Sequence, residues 1–234
     1  MAQDKRVVIV GGHGKIALLT APKLTAAGYG VQSLIRNPDH RDDVAATGAE
    51  PVLLDIEEAD VDALAEAFDG ASAVVFSAGA GGGNPTRTVA VDYEAAVRTM
   101  DAAQQVGVRR YVMVSYVRSA VDLDRVAPGE SFYPYAKSKH DADKYLRGTD
   151  LDYTILGPGS LTMEPASGKI LLVDETGEAP EGELSDGNLS DGDKVTSREN
   201  VAEVIVHILR EGAGVRRTYN FYDGPIPIAE AIPA

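Results

Sequence analysis

Short apolar runs alternate along the chain with longer stretches in which apolar residues return every three or four positions. Val7-Val8-Ile9-Val10 is apolar throughout and stops at Gly11-Gly12-His13-Gly14; Ile16, Leu18, Leu19 and Leu24 then follow with helical spacing towards Gly28. Pro22 removes a backbone donor inside that stretch, so a local kink is expected there. Further strands are predicted at 31–35, 52–55, 73–76, 110–115, 153–156 and 219–222, and helices at 57–68, 89–105 and 134–146. Thr196-Ser197-Arg198-Glu199 reads as a capping box opening a last long helix that Gly212 ends. Ala73-Val74-Val75-Phe76 shows no polar alternation, which suits a strand buried on both faces. This alternation predicts an α/β protein with a doubly wound parallel sheet, and ligands in such sheets sit beyond the carboxyl ends of the strands.

The alternation fails from 161 to 194, where Asp174, Glu175, Glu178, Glu181, Glu183, Asp186, Asp191 and Asp193 crowd together with Gly and Pro. Two readings stand for that stretch: a solvated surface flap, or a mobile cover over a substrate pocket. The 234 residues suit a single domain, 1–234, to which 161–234 would add a small substrate-side lobe and tail. Composition narrows the partners. With 22 Lys and Arg against 36 Asp and Glu, the formal charge of −14 argues against nucleic acid and anionic membrane surfaces, while leaving room for a local basic pocket. Absence of cysteine removes disulfides and thiolate chemistry, and the four histidines, His13, His40, His140 and His207, lack metal-ligand spacing, so no metal is expected. The first apolar run is too short for a leader or a membrane span, and a cytoplasmic monomer or homodimer is expected.

The glycine turn suits a dinucleotide pyrophosphate: glycines allow close approach, and a helix N-terminus offers N–H groups and a favourable dipole. Gly11, Gly14 and Ile16 are candidate contacts there, and His13 and Lys15 would add positive potential. Arg36 ends the second strand, where an NAD site would carry Asp or Glu; arginine suits a 2′-phosphate and points to NADP(H). Tyr135-Ala136-Lys137-Ser138-Lys139 places Tyr135 and Lys139 four residues apart on one helical face, where the ammonium would favour a phenolate and let the phenol exchange a proton near neutral pH. The rival pair Tyr133 and Lys137 is disfavoured because Pro134 fits the first helical turn and leaves Tyr133 at or before its start. Ser115 ends the fifth strand and Asp92 lies in the helix after the fourth.

With the glycine turn, Ser115, Tyr135 and Lys139 in this order, the chain resembles the short-chain dehydrogenase/reductase superfamily over nearly its whole length. Gly11-x-x-Gly14-x-x-Ala17 is similar to the turn of its extended and atypical branches, and Gly12-x-Gly14-x-x-Ala17 fits the general dinucleotide pattern equally. Asp92 at the place of the usual asparagine, the short C-terminal portion and Leu156-Gly157-Pro158-Gly159 resemble the atypical NmrA-like or NAD-dependent epimerase group. The resemblance implies a Rossmann-like fold, Asp55 and Ile56 near the adenine, Ser77, Ala78 and Gly79 along the cofactor, and Pro158 and Gly159 near the nicotinamide carboxamide. It implies a catalytic set of Tyr135, Lys139, Ser115 and Asp92 acting with NADP(H) on a small carbonyl or alcohol: Tyr135 would transfer the proton, Lys139 lower its pKa and hold ribose hydroxyls, and Ser115 orient the substrate oxygen. A non-catalytic NADP(H)-binding redox sensor and a nucleotide-sugar epimerase or dehydratase are the alternatives.

Overall fold

The apolar runs become the strands of one large sheet. The structure is a computed structural model and describes residues 5–81, 84–180 and 190–234. The first half alternates β1 (Arg6–Val10), α1 (Lys15–Ala26), β2 (Gly30–Ile35), α2 (Arg41–Ala45), β3 (Glu50–Leu53), α3 (Val61–Phe68) and β4 (Ala73–Phe76). Then come α4 (Pro85–Thr88), a π-helical segment over Val89–Ala95, α5 (Ala96–Gln105), β5 (Arg110–Val114), α6 (Tyr133–Arg147) and β6 (Asp152–Pro158). The remainder holds β7 (Ser160–Thr162), β8 (Lys169–Val173), β9 (Val195–Ser197), α7 (Arg198–Glu211), β10 (Arg217–Asp223), β11 (Ile226–Pro227) and α8 (Ile228–Ala231).

Among the described residues, nine strands form a sheet in the order β11-β8-β10-β6-β5-β4-β1-β2-β3. From β10 to β3 every pairing is parallel, whereas β8 runs antiparallel to β10. The order turns back between β1 and β4, which opens the crevice where a Rossmann-like sheet takes its ligand. β7 and β9 pair separately.

β1 shows why these strands lack alternation. Val7 and Ile9 pack into one core with Ile16 and Leu24 of α1 and Val204 and Ile205 of α7. Val8 and Val10 point to the other face, with Phe68 of α3, Met100 of α5 and Leu146 of α6. Each such side chain contributes about 1.5–3 kcal/mol by leaving water.

Several boundaries differ from expectation, each for a local reason. The third strand covers 50–53 rather than 52–55 because Gln32 pairs with Glu50 and Ile35 with Leu53; Asp55 is left to the following turn, where it accepts from Glu57 N. The helix expected from 57 begins at Val61, capped by Asp60 accepting from Ala63 N. α1 runs on across Pro22, which lies on the exposed face. The capping box does not form: Ser197, not Thr196, caps α7, and Glu199 instead accepts from Ala166 N and pairs with Lys23. Within the acidic stretch, Ile170-Leu171-Leu172-Val173 supplies most of β8, which sequence reading passed over. Glu181, Glu183 and Asp186 of that stretch lie outside the described residues. No helix among the described residues is long and apolar enough to cross a membrane.

Candidate active site

The turn after β1 is held against two neighbouring strands. Gly11 has φ +83°, and a Cβ added there would stand 2.6 Å from Ala78 Cα; one on Gly12 would stand 2.5 Å from Ser33 Cβ. Those two glycines therefore serve close packing behind the turn, while Gly14 is the N-cap of α1. That helix start has no side-chain cap and no acidic residue in its first turn, which leaves backbone donors and the positive dipole end to an anion. Gly11, His13, Gly14, Arg36, Asp55 and Ile56 line a cavity of about 220 Å³. This cradle fits the adenosine and phosphate half of a dinucleotide.

Two residues missed in the sequence complete its far wall. Glu57 Oε1 receives Nη1 of Arg36 and Nη2 of Arg87, each at 2.7 Å, and Arg87 Nη1 also donates to Ala80 O. Arg87 donation, followed by Arg36, holds the Glu57 carboxyl below its usual range. Arg36 is 51% exposed, so its remaining donors stay accessible. His13 stacks on His40 with centroids 3.5 Å apart, and its Nε2 lies 2.9 Å from Asp43 Oδ2.

Ser77, Ala78 and Gly79 border this cavity and also a larger one of about 840 Å³, so the two form one cleft across the strand ends. Ile16, Asp92, Ser115, Tyr135 and Lys139 line the larger part. Lys15, Pro158 and Gly159 lie outside the walls of both: Lys15 is exposed, and Gly159 packs against the Tyr222 ring.

The residues around Lys139 are tightly built. Its Nζ lies 3.1 Å from Asp92 Oδ1 and donates to Val114 O at 3.1 Å; the two side chains are only 4% and 1% exposed. Asp92 Oδ2 accepts from Ala80 N at 3.1 Å. The π-helical segment carries Asp92 to this meeting point, so the pair joins the loop after β4, α6 and the end of β5. Burial opposes the charge on Lys139, but Asp92, Tyr135 and Asp143 outweigh it and hold the ammonium above its ordinary pKa. An ammonium has three donors, and one remains for a ligand.

Tyr135 packs among the rings of Tyr116 and Phe132, with centroids 5.4 and 5.5 Å away. Its hydroxyl has no protein hydrogen bond among the described residues. Lys139 pulls the Tyr135 pKa down as expected, but the net direction is upward. Burial is the largest influence and raises it, Lys139 opposes, and Asp92 and Asp143 add to the rise. Tyr133 is the first residue of α6, at the helix start and one position before the expected 134, and Lys137 pairs with Asp141 at 2.5 Å rather than with any tyrosine.

Ser115 is engaged from behind. Its Oγ donates to Asp143 Oδ2 at 2.7 Å, and Ser119 Oγ donates to the same atom at 2.7 Å. One hydroxyl has one proton, so Ser115, which spends its own on Asp143 Oδ2, presents lone pairs to the cavity. Asp143 is fully buried, and its other oxygen has no hydrogen-bond partner among the described residues. It follows Lys139 by four residues, so Tyr135, Lys139 and Asp143 form one stripe on α6, a spacing readable in the sequence.

Burial raises the Asp143 pKa against the donation from Ser115 and Ser119. The folded chain therefore holds this proton to higher pH than the unfolded chain. Its contribution to stability falls as pH rises from the usual carboxylate value through the raised one. Asp143→Asn does not titrate. The melting-temperature difference, variant minus wild type, is expected to grow more positive from about pH 4 to about pH 8. A difference that stays flat would show that Asp143 does not titrate differently on folding.

Comparison with known proteins agrees with this geometry. A family model described as NAD(P)H-binding matches residues 11–212. The Bacillus subtilis protein named "Uncharacterized sugar epimerase YhfK" is 30% identical, over 97% of this chain and 98% of its own. The "UPF0659 protein C216.03" of Schizosaccharomyces pombe is 31% identical over 96% of this chain and 92% of its own. Among solved structures, a Bacillus halodurans protein with an NAD-dependent epimerase/dehydratase designation superposes with a TM-score of 0.81 at 29% identity, covering 97% of this chain and 98% of that one. The oxidoreductase ylbE of Lactococcus lactis gives 0.79 at 26%, over 97% of this chain and 94% of that one. The chain belongs to the NAD(P)H-binding family of oxidoreductases and epimerases, of the atypical short-chain dehydrogenase/reductase type.

Proposed function

We propose that this protein is an NADP(H)-dependent reductase of a small carbonyl compound, with Tyr135 as proton donor and the reverse alcohol oxidation open to the same groups. The observation that carries this reading is the buried pair of Asp92 and Lys139 beside the half-buried Tyr135, opening on a cavity continuous with the glycine cradle. When bound, the nicotinamide supplies a carbon that gives or takes a hydride. Tyr135, kept protonated by burial and by two nearby carboxylates, matches donation to a carbonyl oxygen that is gaining negative charge. Lys139 faces the phenolate that this leaves, and its free donor suits a ribose hydroxyl. Ser115 accepts from a hydroxyl in the cavity and so marks the side on which a product alcohol would be held. Steady oxidation of NADPH across a panel of aldehydes and ketones is the expected result, and its absence throughout the panel would overturn the reading.

The epimerase names of two relatives favour a second reading, in which Tyr135 would take and return the hydroxyl proton of an alcohol while an oxidised nicotinamide would take and return the hydride of its carbon, with no net consumption of cofactor. Net consumption of NADPH separates the two.

The 2′-phosphate assignment has its own check. Arg36→Ala is expected to weaken NADPH binding about tenfold or more, because a charge-assisted contact of about 1.5–3 kcal/mol is lost, and to leave NADH binding nearly unchanged. Equal weakening of both cofactors in a titration would show that Arg36 does not read the phosphate.

A further inference from the structure

We infer that the second reactant is an uncharged carbonyl compound with a flat apolar face, and that the cavity rejects anionic substrates, sugar nucleotides included; this rests on the reductase reading above. Charge is the first ground. Lys139 is the one cation among the described residues lining the larger cavity, and Asp92 already occupies it at 3.1 Å. The pair cancels to zero, and Glu130 leaves the wall net negative. Residues 181–189 lie outside the described structure but contain Glu181, Glu183 and Asp186 with no Lys or Arg, so they hold no cation for a phosphate. A carboxylate or diphosphate would enter a partly dry cleft of its own sign, which costs binding free energy that no partner returns.

Shape is the second ground. Phe132 is 42% exposed and Leu161 36%, and both line the cavity. Phe132 does not stand alone: its ring meets Tyr116 edge-on at 5.7 Å and Tyr135 at 5.5 Å. Such a wall presents an apolar surface beside Tyr135, and a flat apolar ligand gains by covering it. The cavity, about 840 Å³, lies within the ordinary range for small-ligand pockets.

The test uses the NADPH-loaded protein, calorimetry, and two probes of one skeleton: 2-acetylnaphthalene and the same ketone bearing a 6-carboxylate. The uncharged ketone is expected to bind about tenfold more tightly. Glu130→Gln keeps the acceptor that Ala127 N uses at 2.8 Å and removes the charge, so it is expected to narrow the gap by raising affinity for the carboxylate. Phe132→Ala is expected to weaken the ketone about fivefold or more, with NADPH affinity as control. Equal or tighter binding of the carboxylate, binding of neither probe, or displacement of the ketone by uridine diphosphate would overturn the inference. Because binding needs no turnover, the charge preference found without any NADPH oxidation would support this ligand class and overturn the reductase reading alone.

Discussion

Replacing Tyr135 with phenylalanine is expected to lower carbonyl-dependent NADPH oxidation by about 10²- to 10⁴-fold, with the loss falling on kcat. The substitution removes one oxygen and keeps the ring that packs on Tyr116 and Phe132, so the fold and the cavity wall have little reason to change. What disappears is a hydroxyl that lines the cavity with Lys139 and makes no protein hydrogen bond among the described residues. Ser115 is a poor replacement because its proton is already given to Asp143. Activity that survives the substitution would place the proton donor elsewhere and end the proposed mechanism. A fall in activity matched by an equal fall in NADPH affinity would assign Tyr135 to cofactor binding instead.

Periodicity carried the fold well because both faces of the sheet are covered. Val7 to Val10 and Ala73 to Phe76 are unbroken apolar runs in the sequence, and in the structure their alternate residues enter two different cores. β8 escaped notice for a different reason. Its apolar run of Ile170 to Val173 is only four residues long and sits among acidic residues, glycines and prolines, a composition that masks a strand. Candidate site residues brought together by a helical spacing, such as Tyr135 and Lys139, could be read directly. Asp143 obeys the same spacing and was missed because an acid on a helix is ordinarily solvated; only the fold shows it buried under Ser115 and Ser119. Glu57 and Arg87 meet across thirty positions of chain, and no local pattern announces such a pair. The sign of the Tyr135 shift was also beyond the sequence, since it depends on burial and on two carboxylates from different elements outweighing one lysine.

Lys139→Met is expected to cause the largest loss of stability, about 3–5 kcal/mol, which for a chain of this length lowers the melting temperature on the order of 10 °C. Its cause is the partner left behind. Asp92 is 1% exposed, and without the ammonium its charge stays in a site with only Ala80 N to receive it. If this is right, the cost belongs to the uncompensated carboxylate rather than to any net strength of the ion pair. Adding Asp92→Asn to Lys139→Met removes that charge and preserves the acceptor for Ala80 N, so the double variant is expected to recover most of the lost stability. Turnover should behave oppositely. The double variant still lacks the cation that faces Tyr135 and the donor available to the cofactor, so it is expected to remain about as slow as Lys139→Met alone. Thermal melting and NADPH oxidation on all four members of the cycle distinguish the two roles. If stability fails to return in the double variant, burial of Asp92 is not the source of the cost. If turnover returns with stability, Lys139 only holds the site together, and the resemblance of Tyr135 and Lys139 to a working proton-transfer pair is one of form.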